Sequence, residues 1–191
     1  MERTERTLRR KEEIEAALLE LMHSTPYQQI TVTDLTKHLD VARKSFYYYF
    51  PSKDACFESL VDRLIQESAL HVSRKLSDDQ QIVQIYEENL RFWICQKPFL
   101  DLVIKNNLGH ILLARTMHHI RQEEKLVQIL LGTPSVEFDE DILLFYVTGQ
   151  QGLLLNWCAQ NFTLSVEEMA RKYLRLMHTP LLSLDKQAGL G

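Results

Sequence analysis

Residues 30–55 read ITVTDLTKHLDVARKSFYYYFPSKDA, two short helical patterns joined by a turn. Thr31 followed three residues later by Asp34 is a capping-box-like start. The threonine oxygen accepts from an orphan backbone N–H, and the carboxylate suits the positive end of a helix. Val32, Leu35, Thr36 and Leu39 recur at helical spacing, so a helix of about two turns turns one stripe inward and leaves Thr33, Lys37 and His38 outside. Asp40 and Val41 supply the turn, where aspartate accepts a left-handed backbone less easily than glycine but better than most residues. The second helix runs over 43–50 and stops at Pro51, because the residue ahead of a proline is steered away from helical geometry. Phe46 and Phe50, one turn apart, share its buried face over Val41, which sends Arg43, Lys44, Ser45, Tyr47, Tyr48 and Tyr49 outward.

Between Val41 and Lys53 there are three cations, Arg43, Lys44 and Lys53, and no carboxylate, although the whole chain holds 22 Lys or Arg against 26 Asp or Glu. A local reversal of sign is what a polyanion partner requires. Three consecutive tyrosines point three ways round a helix, so at least one ring is exposed. A phenol donates to a phosphate oxygen while its ring packs against sugar or a thymine methyl, which suits a helix docked in a groove of double-stranded DNA. The alternative is an aromatic-rich core helix whose charges only solvate its rim.

The same residues resemble the TetR family of bacterial transcriptional regulators, whose amino-terminal pattern is close to T-x-x-x-I-A-x-x-A-G-V-S-x-x-T-x-Y-x-Y-F-x-x-K. Here it reads TVTDLTKHLDVA over 31–42 and RKSFYYYFPSK over 43–53. Two positions depart from it: the family's turn glycine is Asp40, and the serine that caps the second helix is Ala42. Loss of that cap costs on the order of 1 kcal/mol unless another group compensates. The resemblance implies phosphate contacts for Thr33, Tyr47 and Lys53, and places Arg43, Lys44, Ser45, Tyr48 and Tyr49 nearest to base edges or adjacent backbone. Lys53 also opens the following helix, whose free N–H groups attract phosphate oxygens.

Length and composition agree with a folded regulator of this kind. A chain of 191 residues with 45% hydrophobic content fills a real core. Residues 1–53 carry nine Lys or Arg against eight Asp or Glu, +1, which leaves −5 of the net −4 for the remainder. The start MERTERTLRRKEEIE lacks the apolar centre of a signal peptide, and no apolar run approaches the roughly 20 residues that cross a bilayer. A cytoplasmic protein with no membrane partner is expected. Cys56, Cys95 and Cys158 are widely spaced and odd in number, which predicts reduced and mostly buried thiols rather than a metal pair or a disulfide framework.

The rest of the chain reads as all-α, with about nine helices. Leu8, Ile14, Ala17, Leu18, Leu21 and Met22 mark a first helix ending before Pro26, and Arg3, Arg6, Arg9 and Arg10 alternate with glutamates as a solvated face. Phe57, Leu60, Val61, Leu64, Ile65 and Val72 mark a linking helix over 53–76, with the boundary at 76–79. The division is therefore a three-helix helix-turn-helix domain over 1–53, the linking helix, and a helical ligand-binding and dimerisation domain over 77–191. Within the latter, helices are expected over 82–95, from Pro98, over 108–131, over 138–160, and from the capping box Ser165-Val166-Glu167-Glu168 to about Met177.

The 138–160 segment is apolar on more than one face and holds Gly149 and Gly152, which permit close backbone approach. By resemblance to the family's paired carboxy-terminal helices, Leu143, Val147, Leu154, Trp157 and Tyr173 are expected at a homodimer interface; the alternative is a helix buried inside one subunit. Tyr86, Asn89, Trp93, Phe99, Asn106 and Met117, with Leu90, Val103 and Leu113, form a candidate pocket for an unidentified small-molecule effector, against the alternative of plain core. His110, His118 and His119 lack a second ligand type and are read as solvated surface. No cofactor or metal is expected, and the absence of a phosphate loop, nucleophile elbow or paired carboxylates argues against an enzyme. The function implied is a DNA-binding regulator, a repressor that holds a palindromic operator as a dimer and lets go when the effector binds. The alternative is a helical co-activator or interaction protein of the same fold.

Overall fold

The three- and four-residue spacing of apolar side chains produces nine helices in a computed structural model that describes residues 2–75, 82–122 and 140–178. No strand occurs among the described residues. Helix α1 (Glu2–Ser24) is followed by a 3-10 turn (Tyr27–Gln29), α2 (Val32–His38), α3 (Arg43–Tyr49) and the long α4 (Lys53–Lys75). Then come α5 (Ile82–Cys95), α6 (Lys97–Lys105), α7 (Gly109–Gln122), α8 (Glu140–Ala159) and α9 (Val166–His178). The expected boundary at 76–79 and the end of the 108–131 helix lie outside the described residues.

Local chemistry sets the ends of these helices. Three of them close on a left-handed residue, Asp40 after α2, Asn107 after α6 and Asn161 after α8. In each case two amides turn back onto the last carbonyls; after α2, Asp40 N–H donates to Lys37 O at 3.2 Å and Val41 N–H to Thr36 O at 2.9 Å. Helix α9 starts on the expected capping box, Ser165 Oγ accepting from Glu168 N–H at 3.2 Å and Glu168 accepting from Ser165 N–H at 2.8 Å.

One core of buried residues runs from Ile14 in α1 to Tyr173 in α9. Helix α4 packs on α1, α5 and α7, and α5 packs on α9, while α8 covers α6 and α7. Phe57 of α4 is the aromatic hinge of this core, with Tyr27 at 5.4 Å on one side and Phe99 of α6 at 6.1 Å on the other. A smaller cluster of Met117, Ile120, Leu143 and Val147 joins α7 to α8. Burial along α1 begins in earnest at Ile14, so Leu8, expected on the apolar face, is exposed.

Two ionic clasps flank α4 at consecutive residues. Glu15, only 2% exposed, accepts from Arg63 Nη2 at 2.9 Å and Nε at 3.1 Å and from Ser59 Oγ at 2.9 Å, tying α4 to α1. On the other side Asp62 accepts from Arg115 Nε at 2.7 Å and Nη2 at 2.6 Å, with His119 Nε2 at 2.9 Å, tying α4 to α7. His119 is therefore not solvated surface as expected. It turns inward because it sits one helical turn after Arg115, on the face that α7 presents to α4. His110 and His118 are exposed.

Candidate nucleic-acid interface

The capping box predicted for α2 is complete. Thr31 Oγ1 accepts from Asp34 N–H at 3.2 Å, and Asp34 accepts from Thr31 N–H at 2.9 Å and its hydroxyl at 2.6 Å. Those bonds hold the Asp34 carboxyl below the usual carboxylate range. Leu35 and Thr36 are buried and Thr33 is half-buried. The turn then places Asp40 at φ 52°, which a non-glycine residue adopts at a cost of about 1 kcal/mol. Ala42 sits at the start of α3 with no side-chain cap.

Helix α3 is anchored by Phe46 and Phe50, both buried, with Lys11 of α1 5.3 Å above the Phe50 ring. The exposed side carries two cations, each four residues before a tyrosine, Arg43 before Tyr47 and Lys44 before Tyr48. Arg43 Nη2 lies 3.2 Å from the Tyr47 hydroxyl and its guanidinium 5.8 Å from the ring centre, while Lys44 and Tyr48 stand beside them. Tyr47 is 47% exposed and Tyr48 67%. Among the described residues neither Arg43 nor Lys44 is held by a carboxylate, and Ser45 is exposed next to them. Tyr49 departs from the expectation. It is half-buried against the core and meets Tyr48 edge-on at 4.9 Å, because three successive positions span about 200° of helix and the last turns inward.

Lys53 opens α4 as expected, yet its ammonium points back into the chain. Nζ donates to the carbonyls of Tyr27 and, at 2.9 Å, Ile30, and lies 4.0 Å from the centre of the Tyr27 ring. Burial lowers its pKa from the ordinary lysine value. Tyr27 is held on every polar group: its N–H donates to Asn106 Oδ1 at 2.8 Å and its hydroxyl to Asp54. Sequence reasoning passed over Tyr27, whose only signal was its place directly after Pro26.

A family model described as bacterial regulatory proteins, tetR family, matches residues 14–60, which span the reading pair with the second half of α1 and the start of α4. Residues 14–60 are thus similar to the TetR-type amino-terminal domain. The HTH-type transcriptional regulator EthR of Mycolicibacterium smegmatis is 41% identical over 58 residues, which cover 28% of this chain and 27% of that protein. The nucleoid occlusion factor SlmA of Photobacterium profundum is 27% identical over 190 residues, covering 90% of this chain and 95% of its own. Among solved structures, the fatty acid degradation regulator FadR of Bacillus halodurans superposes with a TM-score of 0.61 at 14% identity, over 90% of this chain and 95% of that one. At that identity the superposition speaks to the fold alone, an all-α architecture shared over nearly the whole length of both chains.

The expected effector residues do not meet in one place. Asn106 is buried, accepting from Tyr27 and donating to Leu102 O at 2.9 Å, and Asn89 donates to Ser68 Oγ at 2.9 Å. Phe99 stacks on Phe57, and Met117 belongs to the α7–α8 cluster. Trp93 is buried edge-on to Phe92. Tyr86, pushed up to about 12 by burial, accepts from Gln150 at 3.1 Å, near Tyr173.

The residues expected at a dimer interface are likewise turned into their own protomer. Leu143, Val147, Leu154, Trp157 and Tyr173 are all buried. Trp157 Nε1 donates to Leu164 O at 3.2 Å and the Tyr173 hydroxyl to Gln150 O at 2.9 Å. A helix apolar all round gives no sequence clue to which face is inside. The outward face of α8 carries Ile142, Phe145, Gly149, Gly152, Asn156 and Ala159 instead. Among the described residues no group of three metal-ligating side chains forms, and no described helix is long and apolar enough to cross a membrane.

Proposed function

We propose that this chain is a DNA-binding transcriptional regulator that grips a palindromic operator as a homodimer, with residues 1–53 as the reading domain and 77–191 as the pairing and effector domain. The observation that carries the reading is the α3 face: two cations that no carboxylate among the described residues holds and two exposed tyrosines, on a helix anchored from behind by Phe46 and Phe50. Arg43 and Lys44 suit guanine acceptors or phosphates, and Ser45, Tyr47, Tyr48 and the half-buried Thr33 and Tyr49 suit backbone and sugar. Occupying an operator in the cytoplasm makes repression the simplest outcome. A small-molecule effector acting near Tyr86 and Trp93 would release it by favouring a wrong spacing of the two reading helices.

Pairing is supported by the outward seam of α8. Ile142, Phe145, Gly149, Gly152, Asn156 and Ala159 alternate at three- and four-residue steps, and Phe145 is 60% exposed. A Cβ added at Gly149 or Gly152 meets nothing within 4 Å among the described residues, so the small size of these residues serves no packing there. Each helix-interior glycine costs about 1 kcal/mol relative to alanine, which a close helix from a second copy offsets. Footprinting on the DNA flanking the gene tests both parts. Two protected patches about one helical turn apart are expected, together with a monomeric, weakly binding Phe145→Asp variant. Absence of any protected duplex would defeat the reading.

A second reading has its own observation, since one relative aligned over nearly the whole chain is a nucleoid occlusion factor. On that reading the same DNA face serves a protein that acts through other protein contacts. Genome-wide occupancy separates them: a few promoter-proximal sites support the regulator, and many sites dispersed away from promoters support the alternative.

A further inference from the structure

We propose that Lys53 is not a phosphate ligand but a positioning residue, one half of a two-sided pin that fixes the Tyr27–Gln29 turn and through it the α2–α3 reading pair. The inference rests on the DNA-binding reading above and reassigns one of its residues. A lysine ammonium has three N–H donors. Two are engaged by the carbonyls of Tyr27 and Ile30, and the ring of Tyr27 lies 4.0 Å below the charge. Ile30 immediately precedes Thr31, the residue that caps α2. The ammonium therefore ties the entry of α2 to the first turn of α4, in a half-buried setting where an unmet charge is costly.

The other half of the pin comes from α6. Asn106 ends that helix, is itself anchored to Leu102 O, and presents Oδ1 to the Tyr27 amide at 2.8 Å. The N–H and the C=O of a single residue are thus held by side chains from two different helices, 53 residues apart in the chain. The Tyr27 hydroxyl adds a third tie, to Asp54. Nothing else among the described contacts joins the α1–α2 turn to α6 through a buried hydrogen bond, and Asn106 is too deeply buried to touch nucleic acid. Lys53 and Asn106 consequently form a matched pair of probes: one stands near the DNA face and one far from it, yet both hold the same turn.

The test compares Lys53→Met, Lys53→Arg and Asn106→Ala with the natural chain on mixed-sequence duplex DNA across a salt series, with hydrogen exchange of the DNA-free proteins alongside. Lys53→Met and Asn106→Ala are both expected to speed exchange at the amides of Tyr27, Gln29 and Ile30. Both are also expected to weaken duplex binding by on the order of tenfold at every salt concentration, leaving the slope of log affinity against log salt unchanged. Lys53→Arg, which keeps donors for two carbonyls, should recover most of the affinity. A slope shallower by about one unit in Lys53→Met alone would overturn the proposal in favour of a direct phosphate contact. Faster exchange with unaltered duplex affinity would overturn it in favour of a purely structural lysine. If Lys53→Met fails to fold, Asn106→Ala and Lys53→Arg decide the matter. If the natural chain binds no duplex, the proposed function fails separately, and unchanged exchange in the variants then refutes the pin on its own.

Discussion

Arginines around α4 and the cations of α3 are the same chemistry in opposite circumstances. Arg63 and Arg115 each reach a carboxylate with two nitrogens, on Glu15 and Asp62, and burial or a second partner completes each clasp. Arg43 rests on a tyrosine, and Lys44 stands exposed with no carboxylate among the described residues to hold it. A charge answered inside the chain is architecture. A charge left without a carboxylate among the described residues, beside exposed rings and on a helix anchored from behind, is open to an outside partner.

The largest effect expected from this contrast is at Glu15. Glu15→Ala leaves Arg63 without its buried partner and should destabilise the fold by about 3 kcal/mol in urea unfolding, while the salt slope of duplex binding by the folded protein stays as it was. Lys44→Glu should do the reverse. Its duplex affinity falls by about 2 kcal/mol in low-salt titrations, and its unfolding midpoint moves by no more than about 0.5 kcal/mol in stability. Equal effects of the two variants on stability would erase the distinction between the regions.

Smaller effects sharpen the view of how α3 is presented. Asp40→Gly relieves the left-handed backbone at φ 52° and should stabilise the protein by about 1 kcal/mol. Ala42→Ser, which restores a cap to α3, should add about 0.5 kcal/mol, with thermal unfolding as the readout for both. A loss of stability in Asp40→Gly would show that the Asp40 side chain has a role of its own. The least effect is at Asp34. Its folded pKa is depressed by the Thr31 hydrogen bonds, so its contribution is present above the unfolded value of about 4 and is lost as pH falls through the folded one. An NMR titration of the carboxyl should place its midpoint below that of Asp34 in a Thr31→Ala variant; coincident midpoints would contradict the capping account.

The parts of the fold that could be read from sequence are those whose causes lie within a few residues of each other. Thr31 with Asp34, Phe46 with Phe50, the stop at Pro51 and the capping box at Ser165 all act over three or four positions, and each helix they predict is present. The exposed face of α3 was legible for the same reason, except at Tyr49, where the arc covered by three tyrosines had to turn one ring inward. What escaped depends on partners far along the chain. Lys53 is directed by carbonyls 23 and 26 residues away, His119 by an aspartate 57 away, and Asn106 by an amide 79 away. Helix α8 failed differently. Spacing tells which residues share a face, but on a helix apolar all round it cannot tell which face is covered, so Leu143, Val147, Leu154 and Trp157 were placed outward when they lie inside.

The most direct test of the α3 face is the salt dependence of duplex association for the natural chain and an Arg43→Ala, Lys44→Ala double variant. If these two cations meet phosphates, the slope of log affinity against log salt becomes shallower by about 1.8 in the variant, about 0.9 for each contact removed. Identical slopes would contradict the account and return those cations to the ordinary solvated surface of a helical protein.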